Sequence, residues 1–188
     1  MSFKSFLTDL VQPRPEYEDL VLIFMLAGHY DKEKKLSPLG LEQVSEVGAR
    51  LANTYTIDKI IASGDPAAMH SAQIVAEFLK EKEAQGPFEI ERDDALNIQG
   101  HNSPVFLRKS LPNVGQAFRT VLCVTHYDTA LENIKRFSGI DVPVYTKQAV
   151  YPGNAIVSRF NAPKWSKANF NTFDFSRGLL LVKPENGL

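Results

Sequence analysis

The unbroken apolar run Leu20 to Leu26, LVLIFML, most constrains what this chain can fold into. Glu16, Glu18 and Asp19 precede it, and Ala27, Gly28, His29 and Tyr30 close it. A strand with no polar face must be covered on both sides, which is the situation of a strand inside a parallel sheet flanked by helices. The run is therefore predicted to be the central strand. In open α/β sheets the functional groups gather beyond the carboxyl ends of the strands, which directs attention to Ala27, Gly28 and His29.

A chain of 188 residues with 44% hydrophobic and 23% charged residues has enough apolar material for one domain with a sizeable core. A formal charge of −1 gives no basic excess, so neither nucleic acid nor an anionic membrane is an expected partner. The single cysteine, Cys123, excludes an internal disulfide framework. With no signal-peptide pattern at the N-terminus, this points to a reducing, cytoplasmic setting. No apolar run is long enough to span a bilayer.

Along the chain, Phe3, Phe6, Leu7, Leu10 and Val11 recur at helical spacing until Pro13 and Pro15, so residues 1–19 are expected to form a helical extension of the domain. Asp31 to Lys35 is a charged loop. Ser37 and Pro38 have the character of an N-cap and first-turn proline, and Leu41, Val44, Val47, Gly48 and Leu51 would face the core of the helix they open. Ile57 to Ala62 reads as a strand, Ser63-Gly64-Asp65-Pro66 as a turn, and Ala68, Ala72, Val75 and Leu79 as the apolar stripe of a second helix. A third strand is expected over Phe88 to Glu91. The loop Asn97 to Ser103, with Gly100 and His101, leads to a helix starting near Pro104. Val121 to Thr125 is a second buried strand ending at His126, followed by a helix from Tyr127 to Phe137 with Ala130, Leu131, Ile134 and Phe137 inward. Ala155 to Phe160 and Leu179 to Val182 read as two further strands, an antiparallel pair joined by the polar, aromatic stretch Trp165 to Phe175. The expected architecture is thus α/β: a three-layer sandwich with a mainly parallel central sheet.

The order of these parts carries a resemblance. A strand ending in a glycine-histidine turn, then Leu36-Ser37-Pro38-Leu39-Gly40 with Gln43, then Asp58, Ile60 and Ser63, and finally a strand ending at His126 occur together. Over Leu20 to Phe160 the chain resembles the histidine phosphatase, or phosphoglycerate mutase-like, superfamily, and most of all its small bacterial phosphohistidine phosphatases. In that family the first strand ends in Arg-His-Gly, the arginine binding phosphate and the histidine attacking phosphorus. With the glycine on Gly28, the arginine position holds Leu26 and the nucleophile position Ala27. The second phosphate-binding arginine falls on Ala67, and the acid that protonates the leaving group falls near Ile98. His126 alone retains a catalytic residue of the family. The resemblance implies a pocket around His126 formed by Leu26, Ala27, Gly28, His29, Ser63, Ala67, His101 and Asn154. Shifting the register by one would make His29 the nucleophile but would place Tyr30 on the glycine, where a side chain replaces close backbone approach.

Charge-assisted arginine contacts are each worth about 1.5 to 3 kcal/mol, so losing two weakens phosphate binding by several powers of ten. An alanine methyl offers no nucleophile. Three readings follow: a non-catalytic domain that binds a small ligand or a protein partner; an enzyme of altered chemistry using His126, His29 or His101, with or without a metal in place of the arginines; and an ordinary phosphatase whose motifs are misaligned. No HxH or HxxxH pair occurs, so His29, His101 and His126 are read as loop and strand-end residues, and neither a metal nor another cofactor is expected. Cys123, inside a buried strand, reads as core. In the first reading, restoring the lost groups by Ala27→His, Leu26→Arg and Ala67→Arg together is expected to yield hydrolysis that Ala27→His alone does not.

Overall fold

The computed structural model describes residues 20–83, 89–97, 109–115, 117–138, 151–160, 162–168 and 180–185. The predicted N-terminal helix, the helix near Pro104 and the residues Ile98 and His101 lie outside them. The described elements are β1 (Leu20–Leu26), α1 (Pro38–Thr54), β2 (Lys59–Ala62), α2 (Pro66–Glu83), β3 (Ile90–Arg92), β4 (Thr120–Thr125), α3 (Tyr127–Ser138), β5 (Ala155–Phe160) and β6 (Leu180–Val182). They form one six-stranded sheet in the order β3-β2-β4-β1-β5-β6. The pairs β1–β4, β4–β2 and β2–β3 are parallel, whereas β5 runs antiparallel to β1 and β6 antiparallel to β5. This is the expected mainly parallel α/β sheet, with its two wholly buried strands, β1 and β4, side by side at the centre.

The pleat sends alternate residues of β1 into two separate cores. Val21, Ile23, Met25 and Ala27 join Val44, Val47 and Leu51 of α1 and Ala68, Ala72, Val75 and Leu79 of α2. Leu20, Leu22, Phe24 and Leu26 instead join Ala130 and Ile134 of α3, together with Leu111 and Trp165. Helices thus cover both faces, which is why an entirely apolar run suits β1. The register is also held from the amino end, where Asp58 Oδ2 accepts hydrogen bonds from the backbone N–H of both Arg119 and Thr120, at 2.7 Å each. This carboxylate ties the approach to β2 to the start of β4.

Helix α1 begins as its sequence requires. Ser37 is extended at φ −73° and ψ 168°, its hydroxyl accepts from the Gly40 N–H, and Pro38 occupies the first turn. Leu41 departs from expectation: it is 39% exposed rather than buried. At the first turn the inward position belongs to Gly40, whose backbone lies against that of His29, and Leu41 is directed to solvent.

Candidate functional site

The parallel order brings three strand ends together. Leu26 pairs with Thr125, and Ala62 pairs with Val124, so the residues just beyond β1, β2 and β4 meet at one end of the sheet. A cleft of about 260 Å³ opens there, and its described walls are Leu26, Ala27, Tyr30, His126, Tyr127, Asp128 and Pro152. The Tyr30 ring stands edge-on to the His126 imidazole, with centroids 6.2 Å apart. The walls are mostly apolar, and the charged group among them is the Asp128 carboxylate.

His126 is 7% exposed, and its Nε2 lies 2.8 Å from Asp65 Oδ2. The two atoms are within hydrogen-bonding distance, and the contact becomes an ion pair when the imidazole is protonated. Asp65 Oδ1 accepts from Lys34 Nζ at 3.2 Å, so the carboxylate bridges a lysine and a histidine. Asp65 immediately precedes Pro66, at the positive end of α2. Its turn is fixed by Ser63, which is fully buried, accepts from the Asp65 N–H at 3.2 Å and donates to Asn97 Oδ1 at 2.7 Å. Asn97 Oδ1 also accepts from the Gly64 N–H at 2.8 Å.

Burial pushes the His126 pKa down, and the neighbouring Asp65 carboxylate offsets that only in part. Burial pushes Asp65 up, but the Lys34 hydrogen bond and the charges of His126 and Lys34 outweigh it and hold the acid below its ordinary range. The consequence for stability has a definite sign. His126 is protonated more readily in the unfolded chain, so stability falls as pH drops from its ordinary pKa of 6.5 toward the depressed native value. Asp65 adds a further loss as pH falls below its ordinary 3.8. Urea midpoints measured at about pH 7.5 and about pH 5 are expected to decline in the wild type and to decline less in His126→Gln. An equal decline in both would show that His126 is not the responsible group.

The remaining candidate residues are distributed as follows. Leu26 and Ala27 reach the cleft wall from the end of β1. Gly28 lies beneath it, its N–H donating to Ser71 Oγ at 3.2 Å. A side chain there would meet the Gly40 carbonyl at 2.5 Å and Val44 at 2.7 Å, so the glycine serves the approach of α1. His29 is exposed, with Nδ1 2.8 Å from Ser37 Oγ and its N–H donating to Gln43 Oε1 at 3.1 Å. Ala67 is 1% exposed and packs with the α1–α2 core, its carbonyl accepting from Ser71 Oγ at 2.7 Å. Asn154 is fully buried, and its carbonyl accepts from the Leu26 N–H at 2.8 Å, which fixes the last turn of chain before β5 against β1. His70 is exposed on α2. Cys123 is fully buried in β4, and burial, with a smaller effect from Asp93, raises its thiol pKa well above the ordinary value. Among the described residues, no three His, Cys, Asp or Glu side chains converge to hold a metal.

Asp65 and Lys34 are the residues that sequence reasoning missed. Asp65 reads in sequence as one more turn former beside glycine and proline, and Lys34 as one charge of a solvated loop. A usable signal was nevertheless present: an acid three residues beyond one parallel strand and a histidine at the end of its neighbour. That signal becomes legible only once β2 and β4 are known to be adjacent.

No protein-family model and no curated protein matches the sequence. Solved structures do match the fold. A phosphohistidine phosphatase SixA from Nakamurella multipartitia superposes with a TM-score of 0.65 at 15% identity, covering 90% of this chain and 98% of that one. A protein histidine phosphatase SixA complexed with tungstate gives 0.63 at 15% identity, covering 88% and 98%. Phosphoglycerate mutase from Plasmodium falciparum gives 0.52 at 14% identity, covering 87% and 89%.

Proposed function

We infer, for a chain that has the fold of the histidine phosphatase, phosphoglycerate mutase-like superfamily, that it is a pseudophosphatase: a domain that keeps the cleft of a phosphatase as a binding site and has lost the chemistry. The observation that carries this reading is the end of β1, where Leu26 and Ala27 form the cleft wall facing His126. Covalent phosphoryl transfer needs an attacking imidazole and cationic groups aimed at the phosphoryl oxygens. A leucine and an alanine offer neither. The one imidazole on the described wall is engaged by a carboxylate, an arrangement that opposes an approaching phosphate instead of welcoming it. The occupant is accordingly a small ligand of low negative charge or a segment of a protein partner. A cytoplasmic setting belongs to the same reading, since Cys123 is a free thiol. No described helix is long and apolar enough to cross a membrane.

The test is hydrolysis of phosphohistidine and of p-nitrophenyl phosphate by the wild-type chain, first with chelator and then with added zinc. The expected rate in both conditions equals that of His126→Ala. Metal-free turnover well above that variant would return the chain to the phosphatases. Zinc-dependent turnover lost in His126→Ala would instead establish an altered chemistry built on that histidine.

A further inference from the structure

We propose that Lys34 and His126 form an oxyanion-binding site that this chain fills with its own Asp65 carboxylate, closing the cleft to phosphate-like ligands by self-occupancy. The inference deepens the pseudophosphatase reading and rests on it only in taking the cleft as the binding site.

Three segments that are distant in sequence converge on one carboxylate. Lys34 comes from the loop after β1, Asp65 from the turn after β2, and His126 from the end of β4. The two oxygens are divided between two donors, Oδ1 to Lys34 Nζ at 3.2 Å and Oδ2 to His126 Nε2 at 2.8 Å, which is how a bound oxyanion shares its oxygens among donors.

Two features indicate that the donors are placed for an anion. Lys34 has φ +60°, the one positive value among the described non-glycine residues and an unfavourable conformation for a residue with a side chain. The loop is nevertheless held in it. Asp31 Oδ1 accepts from the N–H of Glu33 at 2.8 Å and of Lys35 at 3.0 Å, the Lys34 N–H donates to the Asp31 carbonyl at 3.1 Å, and Tyr30 bridges to Leu36. This hydrogen-bonded turn fixes the backbone from which the Lys34 side chain reaches Asp65. Second, His126 is only 7% exposed, its Nε2 lies 2.8 Å from Asp65 Oδ2, and the Lys34 charge acts on the same ring. A buried ring nitrogen needs a polar partner, and here a carboxylate of the same chain supplies it. Asp65 is the ligand at hand, and while it is there a second anion meets its charge.

Titration with inorganic phosphate, followed by 31P NMR and by the His126 ring 15N resonances, tests this directly. The wild type is expected to show no saturation at millimolar phosphate, and Asp65→Asn to bind at least about tenfold more tightly once the like charge is gone. Lys34→Ala in the Asp65→Asn background should abolish the gain. Asp65→Ser, with a shorter side chain, repeats the test where the Asn amide itself occupies the site or the variant does not fold. Folded Asp65→Asn and Asp65→Ser that bind no better than the wild type overturn the proposal, as does a gain that survives Lys34→Ala. In the otherwise wild-type chain, Lys34→Ala should shift the His126 ring resonances because both groups hold the same carboxylate; unmoved resonances also overturn it. Binding and turnover are read separately. Phosphate-ester hydrolysis by the wild type overturns the pseudophosphatase reading, whereas self-occupancy stands or falls on the ratio of phosphate affinities between Asp65→Asn and wild type.

Discussion

The triple substitution Ala27→His, Leu26→Arg and Ala67→Arg is expected to hydrolyse a phosphate ester at least about a hundredfold more slowly than the same variant carrying Asp65→Asn as well. On the sequence alone, the three substitutions looked sufficient, because they return the nucleophile and both arginines. The structure adds an obstacle. A phosphoryl group attacked from position 27 sits in the cleft that His126 lines, and His126 is 2.8 Å from a carboxylate. Like charges about 4 Å apart repel by roughly 4 kcal/mol at an effective dielectric near 20. The Asp65 side chain is 18% exposed, so solvent reduces that figure, and about 2.7 kcal/mol remaining corresponds to a hundredfold in rate. Ala67 lies in the α1–α2 core at 1% exposure, so Ala67→Arg must push a guanidinium out of packed surroundings and lowers stability. Rates therefore need to be compared at equal folded fraction, with single-turnover kinetics on both variants. Equal rates with and without Asp65→Asn would show that the carboxylate is no barrier.

Gly40→Ala is expected to cost about 3 kcal/mol or more of folding stability, measured as the shift in urea midpoint at constant slope. A methyl group at Gly40 would lie 2.0 Å from the His29 carbonyl oxygen and 2.9 Å from the His29 C and N atoms. All three are backbone atoms, so no rotamer change relieves the overlap. The contact is also where α1 meets the end of β1: the His29 carbonyl accepts from the Ser37 N–H at 2.9 Å and from the Ser37 hydroxyl, and Ser37 caps the helix. Separating the two segments strains the cap and the cleft wall together. Gly48→Ala, further along the same helix, is the control. Its methyl would meet Val75 at 3.2 Å and Phe78 at 3.3 Å, both through side-chain atoms, and the helix gains about 1 kcal/mol from losing a glycine. That substitution is expected to be near neutral. A small loss at Gly40 would mean that α1 can move away from β1 more easily than the contact implies.

The sequence by itself determined the scaffold. An apolar run of strand length with no polar face can be satisfied only when both faces are covered, so β1 and β4 announced a parallel sheet between helices before any contact was known. Ser37 and Pro38 marked the start of α1 because capping chemistry is local, depending on a hydroxyl and a ring within one turn of the helix. The absence of a nucleophile at Ala27 was equally legible, since a methyl group is inert wherever it is placed. Only tertiary structure decided the electrostatics of the site. Charge interactions depend on distance through space, and Lys34, Asp65 and His126 are separated by 31 and 61 positions in the chain yet meet around one carboxylate. Gly28 shows the same division: the sequence identified a residue that tolerates close approach, but the approaching group is the Gly40 carbonyl of α1, fixed by the packing of helix on strand.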